Sequence, residues 1–421
     1  MNLSRKTNLF FYIIVAIGLI LRVIWPSDME WKDDEKIMYA AAREAVDNGT
    51  LPAAGMRSGG GIVNPGMSVG AFALIAAFTN DPVAMNQVVQ VLNVIGVLCF
   101  LLFVFLKVEK REKEIWLAGI ALAAISPLAV IFSRKIWAQD ILPIISFLVI
   151  LTNAYRGKGW GAFLWGLSGA LIGQIHMSGF FFAGGLFVFT LIHDHVNKIK
   201  FRWGYWLAGS FLGSLTLIPW ILFMLHNPQI TRQSFENIFQ FNFYIYWFID
   251  SQGLNVYYSL RRDFWQYLKE PILFGVPTYL AAVAQLFLVT AAVYTITKIF
   301  NLSKSAFQRI KQRTFQVEIF TNISITRFYL LSILLGLGVF MTLSGTTINP
   351  HYLICSFPFL YIFLAKVLEK NRILFRSIII AQMIITITFL VFIHFNHGAP
   401  NGDYKKTYNS QTDIERQLKP E

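Results

Sequence analysis

At 421 residues, with 55% hydrophobic and only 14% charged side chains, the chain is too poor in charge for a soluble protein of this size, where about a quarter of residues are charged. Apolar stretches near the ~20 residues that cross ~30 Å of hydrocarbon recur along it, so lipid is its solvent. The formal charge of +13 resides in Lys and Arg placed between those stretches, the positive-inside pattern of a membrane protein, which argues against a nucleic-acid partner.

Arg5 and Lys6 precede the first predicted span, residues 8–25. No small-residue cleavage site follows Trp25, so this span is expected to be a retained signal-anchor that carries the chain outward. The first outer loop, residues 26–65, then holds Asp28, Glu30, Asp33, Asp34, Glu35, Glu44 and Asp47 against Lys32, Lys36, Arg43 and Arg57. Within it, residues 36–48 predict a surface helix stopped by Gly49. Lys36, Arg43 and Asp47 share one face, and Ile37, Met38, Ala41 and Ala45 make an apolar one.

Residues 66–78 are too short to cross and are expected to lie at the interface or re-enter. A span over 82–106 leads to the inner cluster Lys107, Lys110, Arg111 and Lys113. Cys99 within it and Cys355 later both fall in spans and imply neither a disulfide nor a Cys metal site. Further spans are expected at 114–132, 138–154, 160–175, 179–192, 205–225, 272–297, 328–344, 350–367 and 374–395, about eleven crossings in all. Every remaining basic cluster then faces inward, up to Lys298–Arg313 and Lys370–Arg376. The expected class is an all-α polytopic membrane protein: a transmembrane domain over 1–395 with outer loops 26–65 and 226–271, and an outer tail, 396–421. The aromatic run Phe239, Phe241, Phe243, Tyr244, Tyr246, Trp247 and Phe248 in the second loop reads first as an interfacial belt.

The polar groups worth weighing all fall on the outer side. Asp33 or Asp34 can serve as the N-cap of the loop helix. Ser133, Arg134, Lys135 and Asp140 mark the head of the fourth span, where an ionised carboxylate is costly unless paired, with Arg134 or Lys135 as its partner. His176, in the turn Gln174 to Ser178, reads first as a hydrogen-bonded structural residue. Asn86, Gln90 and Asn93 share a helical face suited to interhelical hydrogen bonds. Acidic groups from the first loop and the fourth span, with Arg22, Arg134, Arg261 and Arg262 as anion partners, are expected to line one cavity where lipid meets water.

These segments resemble those of the GT-C polytopic glycosyltransferases, in particular the protein O-mannosyltransferases and the lipid A aminoarabinose transferases. Asp34-Glu35, leading through Met38, Ala42 and Arg43 to Gly49, resembles their acidic pair in the first outer loop, with Met38 where a Tyr is usual. Ser133-Arg134 and Asp140 are similar to a Ser-Arg pair and a following Asp. Gly166 to His176 is similar to a small-residue helix ending near a basic residue, with His176 in place of a frequent Lys. His351-Tyr352-Leu353 and Pro358 resemble a late basic-Tyr-Leu string. The likeness covers roughly the first 200 residues well and the rest weakly, and it is the order and sidedness of the motifs together that carry it.

The resemblance implies inverting transfer of a sugar from a polyprenyl-phosphate carrier to a hydroxyl of a lipid, glycan or protein acceptor, at the outer face of a bacterial cytoplasmic membrane. It implies Asp34 as base, with Glu35 and Asp140 as supporting carboxylates. Donor phosphate would fall to Arg134, with Lys135, His176, Arg261, Arg262, His351 and Tyr352 as further binding groups. Relatives of this kind admit a divalent metal ion, although the loop offers no ligand pattern that demands one. Two rivals stand beside this reading. A lipid-linked oligosaccharide flippase would place ionisable groups near the bilayer midplane, and a polysaccharide polymerase would release polyprenyl diphosphate.

Overall fold

Ile115 through Ile125 is apolar on every side, and the helix Lys113–Ile125 that it forms is buried all round at the centre of the chain's bundle. The computed structural model describes residues 5–57, 63–228, 238–311, 320–321 and 323–412. Residues 229–237 of the expected second outer loop, 413–421 of the expected tail and Arg313 lie outside the described residues.

Around the central helix pack Arg5–Val23, Phe359–Val367 and Arg372–Phe395. Small residues set the spacing. A Cβ on Gly119 would lie 2.6 Å from Ile362 Cα, so glycine is what lets these two backbones meet. Helix starts follow local chemistry. Asp81 accepts from the amides of Val83 at 3.0 Å and Ala84 at 3.3 Å ahead of Pro82–Lys107, and Asn371 accepts from Leu374 at 3.2 Å ahead of Arg372–Phe395. Strand pairing among the described residues is confined to short antiparallel hairpins, Ala54–Arg57 with Val63–Pro65, Ile272–Leu273 with Val276–Pro277, and Gly398–Ala399 with Lys405–Lys406, and to one isolated bridge between Glu30 and Thr407.

Each expected span has a helical counterpart, but the count of eleven is not reached by length and apolarity. Among the described residues six helices meet that standard, or eight if each of two bent pairs is one span. Lys113–Ile125 turns by 59° into Pro127–Arg134, because Pro127 supplies no amide to continue the ladder. Pro350–Ser356 turns by 83° into Phe359–Val367. Residues 8–23 and 138–154 form shorter apolar helices. The span expected at 272–297 starts later, at Leu280, since residues 272–277 are spent on a hairpin. The short stretch at 66–78 is the ten-residue helix Met67–Ala76.

Two arginines tie the bundle at the end away from the basic loops. Arg22 donates to the carbonyls of Gly18 at 3.0 Å, Ala123 at 2.9 Å and Ala124, so it serves the C-terminal carbonyls of the central helix. Arg134 does the same for the first helix, donating to Leu21 at 3.1 Å, Ile24 at 2.5 Å and Trp25 at 2.8 Å. Both are buried. The aromatic run of the second loop is the helix Asn242–Ser251, with Phe243 and Trp247 packed inward and Phe241 and Ile245 exposed.

Candidate active site

The first loop folds as the helix Asp33–Asp47, which ends where Gly49 adopts the left-handed conformation at φ +63°. Its start differs from the expectation that Asp33 or Asp34 caps it. Lys32 holds the cap position, and Glu35 reaches back to accept from the Lys32 amide at 3.2 Å. Asp34 is thereby left half-buried and turned toward a cavity of about 300 Å³, at the small end of ligand sites. Met38, Arg57, Trp137, His176, His351 and Asp403 are among the residues that share this cavity wall with it.

Behind the wall lies a network of buried charge organised by Glu30, which is 1% exposed. Glu30 pairs with Lys32 at 2.6 Å and with the buried Lys135. Lys32 also donates to the Asp403 carboxylate at 2.7 Å and to the Asp403 carbonyl at 3.0 Å. The ammonium of Lys135 lies 5.2 Å from the centre of the Trp137 ring and 5.1 Å from that of Phe132. Burial works against the charged form of Lys32, yet Glu30 and Asp403 outweigh it and hold its pKa above the ordinary lysine value. Burial raises the pKa of Asp34; Lys32 and Lys135 pull it back, Glu30 and Asp33 push it up again, and the net shift is upward. Burial first and the Glu30 charge second push Glu35 up to about 8, so Glu35 carries a proton at neutral pH.

Several expectations need correction. Glu35 and Asp140 are fully buried and do not line the cavity. Asp140 lies beneath it, within electrostatic reach of Lys135, Glu35 and Glu30, and Asn93 donates to its backbone carbonyl at 2.8 Å. Neither oxygen of its carboxylate has a hydrogen-bond partner among the described residues. Arg134 does not pair with Asp140, because its guanidinium is spent on helix carbonyls, and Lys135 pairs with Glu30 instead. Arg22, too, serves carbonyls and pairs with no carboxylate among the described residues. Arg261 and Arg262 are exposed and off the wall; Arg261 stacks at 4.9 Å on Tyr258, which does line the cavity. Tyr352 is buried behind His351.

The two histidines do reach the wall. His176 is fixed by Ser178, whose hydroxyl lies 2.8 Å from Nδ1, and burial lowers its pKa to about 4, so it is neutral at pH 7. His351 packs edge-on to Trp137 at 5.1 Å, and its Nδ1 has no hydrogen-bond partner among the described residues. Asn64 positions the His176 turn by accepting from the Met177 amide at 3.1 Å while donating to Met56 at 3.0 Å.

Glu30, Asn64 and Asp403 are the site residues that reasoning from sequence missed. Asp403 comes from the segment expected to be a plain tail. Residues 398–412 instead fold back over the first loop: Tyr404 donates to the Asp28 carbonyl at 2.6 Å, the Tyr408 amide to Met29 at 3.1 Å, and Gln411 to Trp31 at 2.6 Å. Among the described residues no three His, Cys, Asp or Glu side chains converge to hold a metal ion. Of the two carboxylates on the cavity wall, Asp403 is already paired with Lys32 and Asp34 has no second free carboxylate beside it there, so the residues present do not fit a resident metal.

No family model matches the chain, and no curated protein matches it. Two crystal structures of ArnT from Cupriavidus metallidurans are similar to it in fold, each at 14% identity. In the apo state the likeness covers 99% of this chain and 80% of ArnT, with a TM-score of 0.46. With ArnT bound to undecaprenyl phosphate it covers 97% of this chain and 80% of ArnT, with a TM-score of 0.47.

Proposed function

We propose that the chain is a GT-C-type glycosyltransferase that moves a sugar from a polyprenyl-phosphate carrier to an acceptor hydroxyl at the membrane surface. The observation that carries this reading is Asp34: a half-buried carboxylate on a cavity wall, its pKa raised, with cations and two imidazoles around the same space. The order of motifs along the chain supplies the reaction class.

In the proposed step the acceptor oxygen attacks the anomeric carbon and inverts it. Its proton passes to the Asp34 carboxylate, a base whose raised pKa brings it nearer the working pH. The bond from anomeric carbon to phosphate oxygen breaks, and polyprenyl phosphate leaves with the electron pair. Charge growing on that phosphate needs preorganised donors. Arg57 on the wall and the unpartnered Nδ1 of His351 take the role first expected of Arg134. Lys32 and Lys135, tied by Glu30, set the potential behind them.

The test is release of free polyprenyl phosphate by the purified chain, given a panel of polyprenyl-phosphate sugars and candidate acceptors. Transfer predicts release dependent on both sugar donor and acceptor. Transport without release, or liberation of polyprenyl diphosphate, would sink the proposal.

A further inference from the structure

The basic loops at the other end of the bundle enclose a second cavity, of about 130 Å³. Its inner surface is apolar, made by Ile115 and Ala118 of the central helix with Phe11 and Phe375 beside them. Its rim carries Lys110, Arg111, Arg372 and Arg376 against Glu114 and Glu369, an excess of positive charge. Arg372 is held by Glu114 at 2.7 Å, and Arg111 turns to Glu109 at 2.7 Å on open surface, where such pairs are weak. The Arg376 guanidinium stands 5.6 Å from the centre of the Phe10 ring.

Exposed apolar side chains run from this rim toward the middle of the bundle. Ile380 follows Arg376 by one helical turn, and Ile13 follows Phe10 by three residues, so both continue the faces that flank the cavity. Ile20 and Ile387, each seven residues further on, extend the same apolar faces. A cavity that is cationic at its mouth and apolar along its approach matches the two ends of an anionic phospholipid. Because those apolar faces lie against the bilayer, they place the headgroup of a bilayer lipid, rather than a soluble phosphate, next to the rim.

We propose that this cavity binds an anionic phospholipid, with the headgroup phosphate at Lys110 and Arg376 and an acyl chain along the Ile13 and Ile380 faces. The site is separate from the candidate active site, which lies at the opposite end of the bundle. The bound lipid bridges the ends of Arg5–Val23 and Arg372–Phe395 and takes no part in transfer.

The test is native mass spectrometry of the purified full chain titrated with phosphatidylglycerol or phosphatidylcholine, with no sugar donor present, so that its outcome is independent of the proposed reaction. Phosphatidylglycerol is expected to be retained and phosphatidylcholine not. Each cation near an anionic headgroup contributes about fivefold in affinity, so the double variant Lys110→Gln, Arg376→Gln should bind phosphatidylglycerol on the order of 20-fold more weakly. Lys110→Arg with Arg376→Lys keeps both charges and should keep the lipid, which separates loss of charge from misfolding. Equal retention of the two lipids, or unchanged affinity in the double Gln variant, overturns the proposal. Displacement of the lipid by millimolar inorganic phosphate alone also overturns it, in favour of a soluble phosphate ligand.

Discussion

Asp34→Asn isolates the proposed base. The substitution keeps the shape of the side chain and removes its ability to accept a proton, so a loss of about 100- to 10,000-fold in turnover is expected, the range for a positioned general base. Its effect on folding can be worked out from the sign of the pKa shift. Asp34 is raised in the folded chain by burial, so the folded state holds this proton more tightly than the unfolded state. Its contribution to stability is present below the ordinary carboxylate pKa of about 4 and is lost as pH rises through the raised folded value. Asparagine resembles the protonated form, so at pH 7 the variant should be no less stable than the parent, within about 1 kcal/mol. The same shift places the acid limb of the parent's kcat/KM profile above about pH 4, since the base must be ionised to act. The assay is release of polyprenyl phosphate across pH, beside thermal unfolding of both proteins in one detergent. Turnover within a few-fold of the parent in a folded Asp34→Asn protein would remove Asp34 from the mechanism.

Three other substitutions probe the support beneath it. Glu30→Gln strips the buried Lys135 of its counter-charge and should cost about 3–5 kcal/mol of stability, read as a lowered unfolding temperature; pairing it with Lys135→Met should recover much of that loss, and no recovery would mean the ion pair is not what matters. Arg134→Lys cannot reproduce a fork that serves the carbonyls of Leu21, Ile24 and Trp25, so it should lower stability by about 3 kcal/mol while the KM for donor stays unchanged in the folded fraction; a raised KM with normal stability would restore the anion-binding role. Asp403→Asn leaves the Lys32 charge less compensated, which favours ionised Asp34, so the acid limb of the pH profile should move to lower pH; an upward shift would contradict the placement of these charges.

The spans were legible because hydropathy is a local property of the chain, and so was the loop helix with acids at its head, although it starts at Asp33 with Lys32 as its cap and not at the expected residue 36. The bends were harder to see. Pro127 interrupts a run that a sliding average reads as one span, and Leu280 starts its helix after a hairpin that is itself apolar. The role of Arg134 was hidden for a different reason: its carbonyl partner Ile24 is 110 positions away, and an arginine at a membrane boundary reads the same whether it meets phosphate or backbone. Glu30 was visible as one acid among many, but nothing local says that it is the buried one. Asp403 had a weak signal in the spacing of Tyr404, Thr407 and Tyr408, which resembles a segment made to pack more than a solvated tail. Tyr404 meets Asp28, Thr407 pairs with Glu30 and Tyr408 meets Met29, long-range pairings that no pattern along a single chain displays.

The choice among the clustered carboxylates follows from where each proton can go. Glu35 has a raised pKa, but it faces the buried side, and its carboxylate serves the amide of Lys32. Asp140 is closed off beneath the cavity, so an acceptor hydroxyl on the wall does not reach it. Glu30 is buried between two ammonium groups and does not line the cavity, so an acceptor hydroxyl on the wall does not reach it either. Asp403 touches the cavity but is committed to Lys32. Asp34 alone among these combines access to the wall with a pKa lifted toward the working range. It does so because Lys32 and Lys135 are turned toward Glu30, and their attraction offsets only part of its burial. The buried ion pairs thus cost the fold desolvation energy and in return leave one accessible carboxylate insufficiently neutralised, the condition a general base requires.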